Sequence, residues 1–167
     1  MAYYPVTPQL GIQPIADTST TQNHPLGTVV LANDQTTYGT GEFVYLKGVA
    51  STTIGLMVKW DPVAGTTTIN PDTAVLAGPV AIAMSANVAS QYGWYQISGA
   101  AVVKKSAIKI NPDVKLYQSA TTGRVMSTSA AGKAVLGMRS INTATVVSAT
   151  STVTVLIERP HMQGPIT

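Results

Sequence analysis

From residue 28 to residue 159 the chain is a succession of short runs rich in Val, Ile and Thr, each closed by Gly, Pro, Asn, Asp or Ser. The runs are TVVLA at 28–32, EFVYLKGVA at 42–50, IGLMVKW at 54–60, TTTI at 66–69, PVAIAMS at 79–85 and GWYQIS at 93–98. AAVVKKS at 100–106, VKLYQS at 114–119, RVMS at 124–127, AVLGMRS at 134–140, ATVVS at 144–148 and TVTVLIER at 152–159 complete the series. β-branched residues suit a pleated surface, and strands this short and closely spaced cannot stay apart as independent units. The pattern predicts an all-β fold: a compact β-barrel or sandwich of short strands with little helix. In the last run, Val153, Val155 and Ile157 alternate with Thr152, Thr154 and Leu156. That is the period of a strand with one face on the core.

The best helical candidate is SANVASQ at 85–91, with Ser85 as N-cap and Gly93 as its stop; a compact loop fits the same residues. INPD occurs at 69–72 and again at 110–113. Proline second and aspartate third suit a type I turn, and two copies are too few for a repeat architecture.

Residues 1–27 differ from the rest. They carry Pro5, Pro8, Pro14 and Pro25 and the polar run DTSTTQN at 17–23. Proline fixes φ and removes donors, so an extended N-terminal arm is expected here. Tyr3, Tyr4, Val6, Leu10, Ile12 and Ile15 favour an arm that lies along a neighbour over a solvated tail. The expected division is an arm at 1–27, a β-rich domain at 28–160 and a C-terminal tail at 161–167.

Charged residues are 10% of the chain, against about 25% in an ordinary soluble domain. No apolar run approaches the roughly 20 residues of a membrane helix. MAYYPVTPQLG has neither the basic nor the apolar region of a signal peptide. Such a chain is expected to cover much of its surface with protein partners, and no membrane partner is expected. The net charge is +3, with one adjacent basic pair, Lys104-Lys105. Nucleic-acid binding needs several cations clustered against phosphates, so no nucleic-acid partner is expected.

Chemistry-bearing motifs are sparse. There is no cysteine. The seven carboxylates are Asp17, Asp34, Glu42, Asp61, Asp72, Asp113 and Glu158, no two of them close in sequence. His24 and His161 lack the HExxH spacing of a zinc site. No GxSxG elbow or phosphate-binding loop is completed; AAGKAV at 130–135 and YGTGE at 38–42 read as turns. The expectation is a protein that is not an enzyme, with no catalytic residue, metal or cofactor.

Aromatic density peaks in QYGWYQISG at 91–99. Alternation puts Trp94, Gln96 and Ser98 on one face of a short strand, and Tyr95 and Ile97 on the other. Tyr95 and Ile97 suit the core. Trp94, beside Gln96, suits a partner-facing anchor, with burial in the core as the alternative. The candidate interface residues are therefore Tyr3, Tyr4, Leu10 and Ile12 in the arm, and Tyr92, Trp94 and Tyr95 here, because aromatics are enriched at binding hot spots.

YLKGVASTTIG at 45–55 and GPVAIAMSANVASQYGWYQISGAAVVK at 78–104 carry a resemblance. The order of KLYQSATTGRVMS, AAGKAVLGMRS and STVTVLIERP after them fits the same pattern. Over roughly 28–160 the chain resembles the capsid decoration (cement) proteins of tailed double-stranded DNA phages. That resemblance implies a compact β-rich fold and a homotrimer seated on the outer surface of the capsid, with the major capsid protein as partner. It implies a virion protein, made in the host cytoplasm, that reinforces the shell without catalysis, and an N-terminal segment that orders on the capsid. Other functions compatible with the residues are a head-fibre base, a tail-tube protein, or a carbohydrate-binding β module stacking sugars on Trp94 and Tyr95.

Overall fold

The computed structural model describes residues 3–6, 11–87 and 89–165, the side chains of residues 3 and 5 excepted. Among these residues there is no helix. Twelve strands form one sheet in which every strand pair is antiparallel. They are β1 (Tyr3–Pro5), β2 (Thr18–Ser19), β3 (Val29–Asp34), β4 (Gly39–Lys47), β5 (Met57–Trp60) and β6 (Thr67–Ile69), then β7 (Ala77–Ala83), β8 (Tyr92–Lys104), β9 (Lys115–Gln118), β10 (Val125–Met126), β11 (Ala134–Ser140) and β12 (Thr152–Gln163).

The expected all-β fold is present, and the sheet curls into two closed circuits. In the first, β4 pairs with β8, β8 with β7, β7 with β5 and β5 with β6; a bridge from Lys47 to Thr66, at the foot of β6, returns to β4. Its inward side chains form one core: Val44 and Leu46, Val58, Ala81 and Ala83, Tyr95 and Ile97. In the second, β8 pairs with β12, β12 with β11, β11 with β9 and β9 with β10; a bridge from Lys105 to Val125 closes it. Ala101, Val103, Leu116, Val125, Val135, Met138, Val153, Val155 and Ile157 fill that core. Met57, Val80 and Ile82 reach it from the opposite faces of β5 and β7. Adjacent residues of one strand thus serve two cores, as period-two alternation requires.

GWYQIS and AAVVKKS, read as two strands, are one. Gly99 sits inside β8 at φ 98 and bends it without ending it. Before the bend β8 pairs with β4, and after it with β12. On β12 the corner is made at Glu158–Pro160, three residues that stand opposite Gly137 alone. There β12 leaves β8 and pairs with β7.

Of the two readings of SANVASQ the loop is the one present, and other expectations change. First, within that loop Asn87 turns inward and donates to the Tyr95 hydroxyl, and the Ser85 hydroxyl is buried without a partner instead of capping a helix. Val88 lies outside the described residues. Second, ATVVS forms no strand, only a bridge from Val146 to Ile110. Third, the tail expected from residue 161 belongs to the body. β12 continues through His161, Met162 and Gln163, and Met162 is buried in the second core. The INPD copies also part ways: Asp113 lies at φ 55, which a type I turn does not use, and it pairs with Arg139 at 2.7 Å.

One buried charge lies where the second circuit closes. Lys105 is almost wholly buried, and its Nζ donates to the carbonyls of Ser106 (3.1 Å) and Ile108 (2.7 Å). Burial holds its ammonium below the ordinary lysine range. The unfolded chain therefore keeps this proton more tightly than the native one. Native stability should rise as pH increases toward the free-lysine value of about 10.4. Urea unfolding of wild type and Lys105→Met, compared at each pH, checks this. The substitution should remove the rise; equal slopes for the two proteins would assign it to another group.

Candidate functional site

The anchors proposed from sequence separate into a buried group and an exposed group. Trp94 and Tyr95 have 0% of their surface exposed. The alternation placing them on opposite faces of β8 is correct, but both faces are covered. Tyr95 fills the first circuit, where burial pushes its phenol upward. Trp94 lies on the outer face of β4 and β8, in a third core with Ile15, Val30, Ala32, Phe43, Tyr45 and Met84. Neither side chain offers a surface to a partner. The stacking platform required by a carbohydrate module is absent at these two residues.

What covers Trp94 is the chain's own N-terminal segment. The part of the expected arm described as residues 11–27 lies folded against its own body, not extended along a neighbour. The physical reason is hydrogen bonding as much as apolar contact. Gln13, itself buried, uses every polar atom. Its N–H donates to His24 Nε2 (3.1 Å), and its carbonyl accepts from Trp94 Nε1 (2.9 Å). Its side-chain amide donates to the carbonyls of Asp17 (2.8 Å) and Tyr92 (3.3 Å). Its Oε1 accepts from the Tyr45 hydroxyl (2.9 Å) and Asn23 Nδ2 (2.9 Å). β2 adds backbone pairing to β8 at Tyr92 and Gly93. Ile15 is buried beneath, with Ile12 and Leu26 packed at the margin.

Beneath this cap lies an aromatic shelf. The Tyr45 and Trp94 rings are 5.0 Å apart and edge-on; Tyr45 and Tyr92 stack at 6.3 Å. Burial raises the Tyr45 phenol above its ordinary range. Tyr92 is half-buried here and is a shelf residue before it is a surface one.

Tyr4 is the anchor that the structure leaves exposed. β1 pairs with β3, setting Tyr4 opposite Asn33, and the Val6 N–H donates to the Leu31 carbonyl (3.0 Å). Opposed residues of an antiparallel pair share a face. Tyr4 (57% exposed), Val6 (55%), Leu31 (48%) and Val29 (45%) therefore line one ledge on the outward face of β1 and β3. Among the described residues, none of these four side chains is charged, and an ion pair borders them. Glu42, opposite Leu31 on β4, is engaged by Arg159 at 3.1 Å. Among the described residues, β1 pairs only with β3. The Tyr3 side chain and Leu10 lie outside the described residues.

Val29 and Leu31 escaped the sequence reading. Their signal is VVLA at 29–32, four apolar residues in a row where a strand with one solvated face would alternate. Among the described residues, no three His, Asp or Glu side chains come together as metal ligands. No family model, curated protein or solved structure matches the chain.

Proposed function

We propose that this chain is a structural, non-catalytic virion protein that docks on the outer surface of a phage capsid and reinforces it, as a homotrimer partnered with the major capsid protein. The observation that carries the proposal is the apolar ledge of Tyr4, Val6, Val29 and Leu31 beside an edge of β1 that is unpaired among the described residues. An edge strand with an apolar face is a template for another protein surface: main-chain pairing supplies affinity and the side chains supply fit. The resemblance carried by residues 45–55 and 78–104, and a charged fraction of 10%, point the same way.

The test is cosedimentation with expanded capsids stripped of this protein, with native mass measurement of the protein alone and on the shell. Val29→Thr combined with Leu31→Lys leaves the buried face of β3, Val30 and Ala32, untouched. Stability should therefore change by no more than about 0.5 kcal/mol. Shell affinity should fall roughly 30-fold, the scale of losing an interface hot spot. Undiminished shell binding by the double variant would overturn the role of the ledge. Rings or tubes formed by the protein alone would assign it to a tail tube or fibre base instead.

A further inference from the structure

His24 closes the cap over the aromatic shelf. Its Nε2 accepts the Gln13 N–H at 3.1 Å, which requires that nitrogen to be unprotonated. Its ring stands edge-on to Tyr45 at 5.0 Å and tilted against Trp94 at 5.4 Å. The same Gln13 carries the Trp94 indole bond on its carbonyl and the Tyr45 hydroxyl bond on its side chain. One imidazole lone pair therefore carries one of the six hydrogen bonds on the residue that organises the cap.

We propose that residues 11–27 form a pH-operated cap over the Tyr45–Tyr92–Trp94 shelf, with His24 as the latch: the neutral imidazole holds it shut and protonation releases it. On protonation, Nε2–H and the Gln13 N–H become two donors facing each other. The buried N–H then has no acceptor, a condition that native structures avoid. The groups facing the imidazole do not compensate. From β4 it meets the Tyr45 phenol; from β8, Trp94, with the Tyr92 phenol behind Tyr45; from its own segment, the Gln13 backbone. The only carboxylate of the segment, Asp17, gives Gln13 its backbone oxygen and is exposed. Both ion pairs among the described residues lie elsewhere, at Asp113–Arg139 and Glu42–Arg159. Aromatic faces attract a cation, but they return no acceptor to the Gln13 N–H.

Release would uncover the shelf and part β2 from β8, but it would leave both circuits intact, because they close through β4 to β12 and not through the cap. This inference is independent of what the ledge binds.

The chain has two tryptophans, so Trp60→Phe leaves Trp94 as the sole indole reporter. As the pH is lowered from about 8 to about 5, its emission should shift to the red. Its acrylamide quenching should rise roughly threefold or more as a buried indole becomes accessible. The far-ultraviolet β signal should stay constant. In the same background His24→Gln, whose amide oxygen accepts the same N–H and does not titrate, should give flat curves. A second reading needs no His24 variant: amide-exchange protection over residues 11–17, corrected for intrinsic rates, should fall at the acid end in the otherwise native chain. The proposal is overturned by a flat Trp94 response, by an equal response in His24→Gln, by unchanged protection of 11–17, or by a response coinciding with loss of the sheet signal.

Discussion

Trp94→Ala is expected to destabilise the protein by about 3–5 kcal/mol, the range for removing a large aromatic from a packed core. At a chain length near 170 residues this lowers the melting temperature by roughly 6–20 °C. The effect has two parts. The indole is fully buried among Ile15, Phe43, Tyr45 and Met84, so its loss leaves a void between the cap and the sheet. It also donates to the Gln13 carbonyl at 2.9 Å, an acceptor that alanine orphans. Trp94→Phe separates the two, since it keeps most of the volume and gives up the bond; a loss of about 1–3 kcal/mol is expected from the stranded acceptor and the smaller ring. Urea unfolding of the three proteins measures both. A surface anchor would behave differently, shifting stability by no more than about 0.5 kcal/mol. A change that small in Trp94→Ala would refute the buried assignment.

The strands were legible because their signal is local. Val153, Val155 and Ile157 are buried while Thr152, Thr154 and Leu156 are partly exposed, as the alternation in TVTVLIE predicts. The Trp94 and Tyr95 faces were also legible. What alternation cannot say is whether the outer face of a strand is covered, when the cover comes from far away in the chain. Gln13 meets Trp94 across 81 positions and Tyr92 across 79. In the sequence Gln13 is one amide in a proline-rich segment, with nothing local to mark it. Ile12 and Ile15 of that segment find their surface on the chain's own body and not on a neighbour, while Tyr4 and Val6 stay exposed. The ledge was half legible. Tyr4 was chosen for its aromatic ring, but its partners Val29 and Leu31 become visible only once β1 is known to pair with β3. Sequence left SANVASQ open between helix and loop; the loop is favoured because the Asn87 amide donates to the Tyr95 hydroxyl inside the first circuit.

Gly99→Ala is the other substitution expected to act on the whole molecule, with a loss of about 3 kcal/mol or more from combined strain and overlap. Gly99 lies at φ 98, a conformation that L side chains rarely adopt. A Cβ there would meet the Thr40 carbonyl oxygen at 2.6 Å and Gly41 Cα at 3.0 Å, both of them backbone. Neither can step aside as a side chain could. Relief requires β4 to move away from β8, yet β4 and β8 together wall both the first circuit and the aromatic shelf. β8 also carries Ala101 and Val103 into the second core just beyond the bend. All three cores are therefore tied to one backbone angle. Gly39→Ala is the matching control. Gly39 lies at φ 66, also left-handed, but no described atom stands within 4 Å of its added Cβ. Its loss should be about 1 kcal/mol, the conformational part alone. The difference between the two variants in urea unfolding measures the overlap at Gly99 together with the extra backbone strain of φ 98 over φ 66. If Gly99→Ala is no worse than Gly39→Ala, then β4 and β8 are not in close contact at the bend, and the three cores do not share a hinge there.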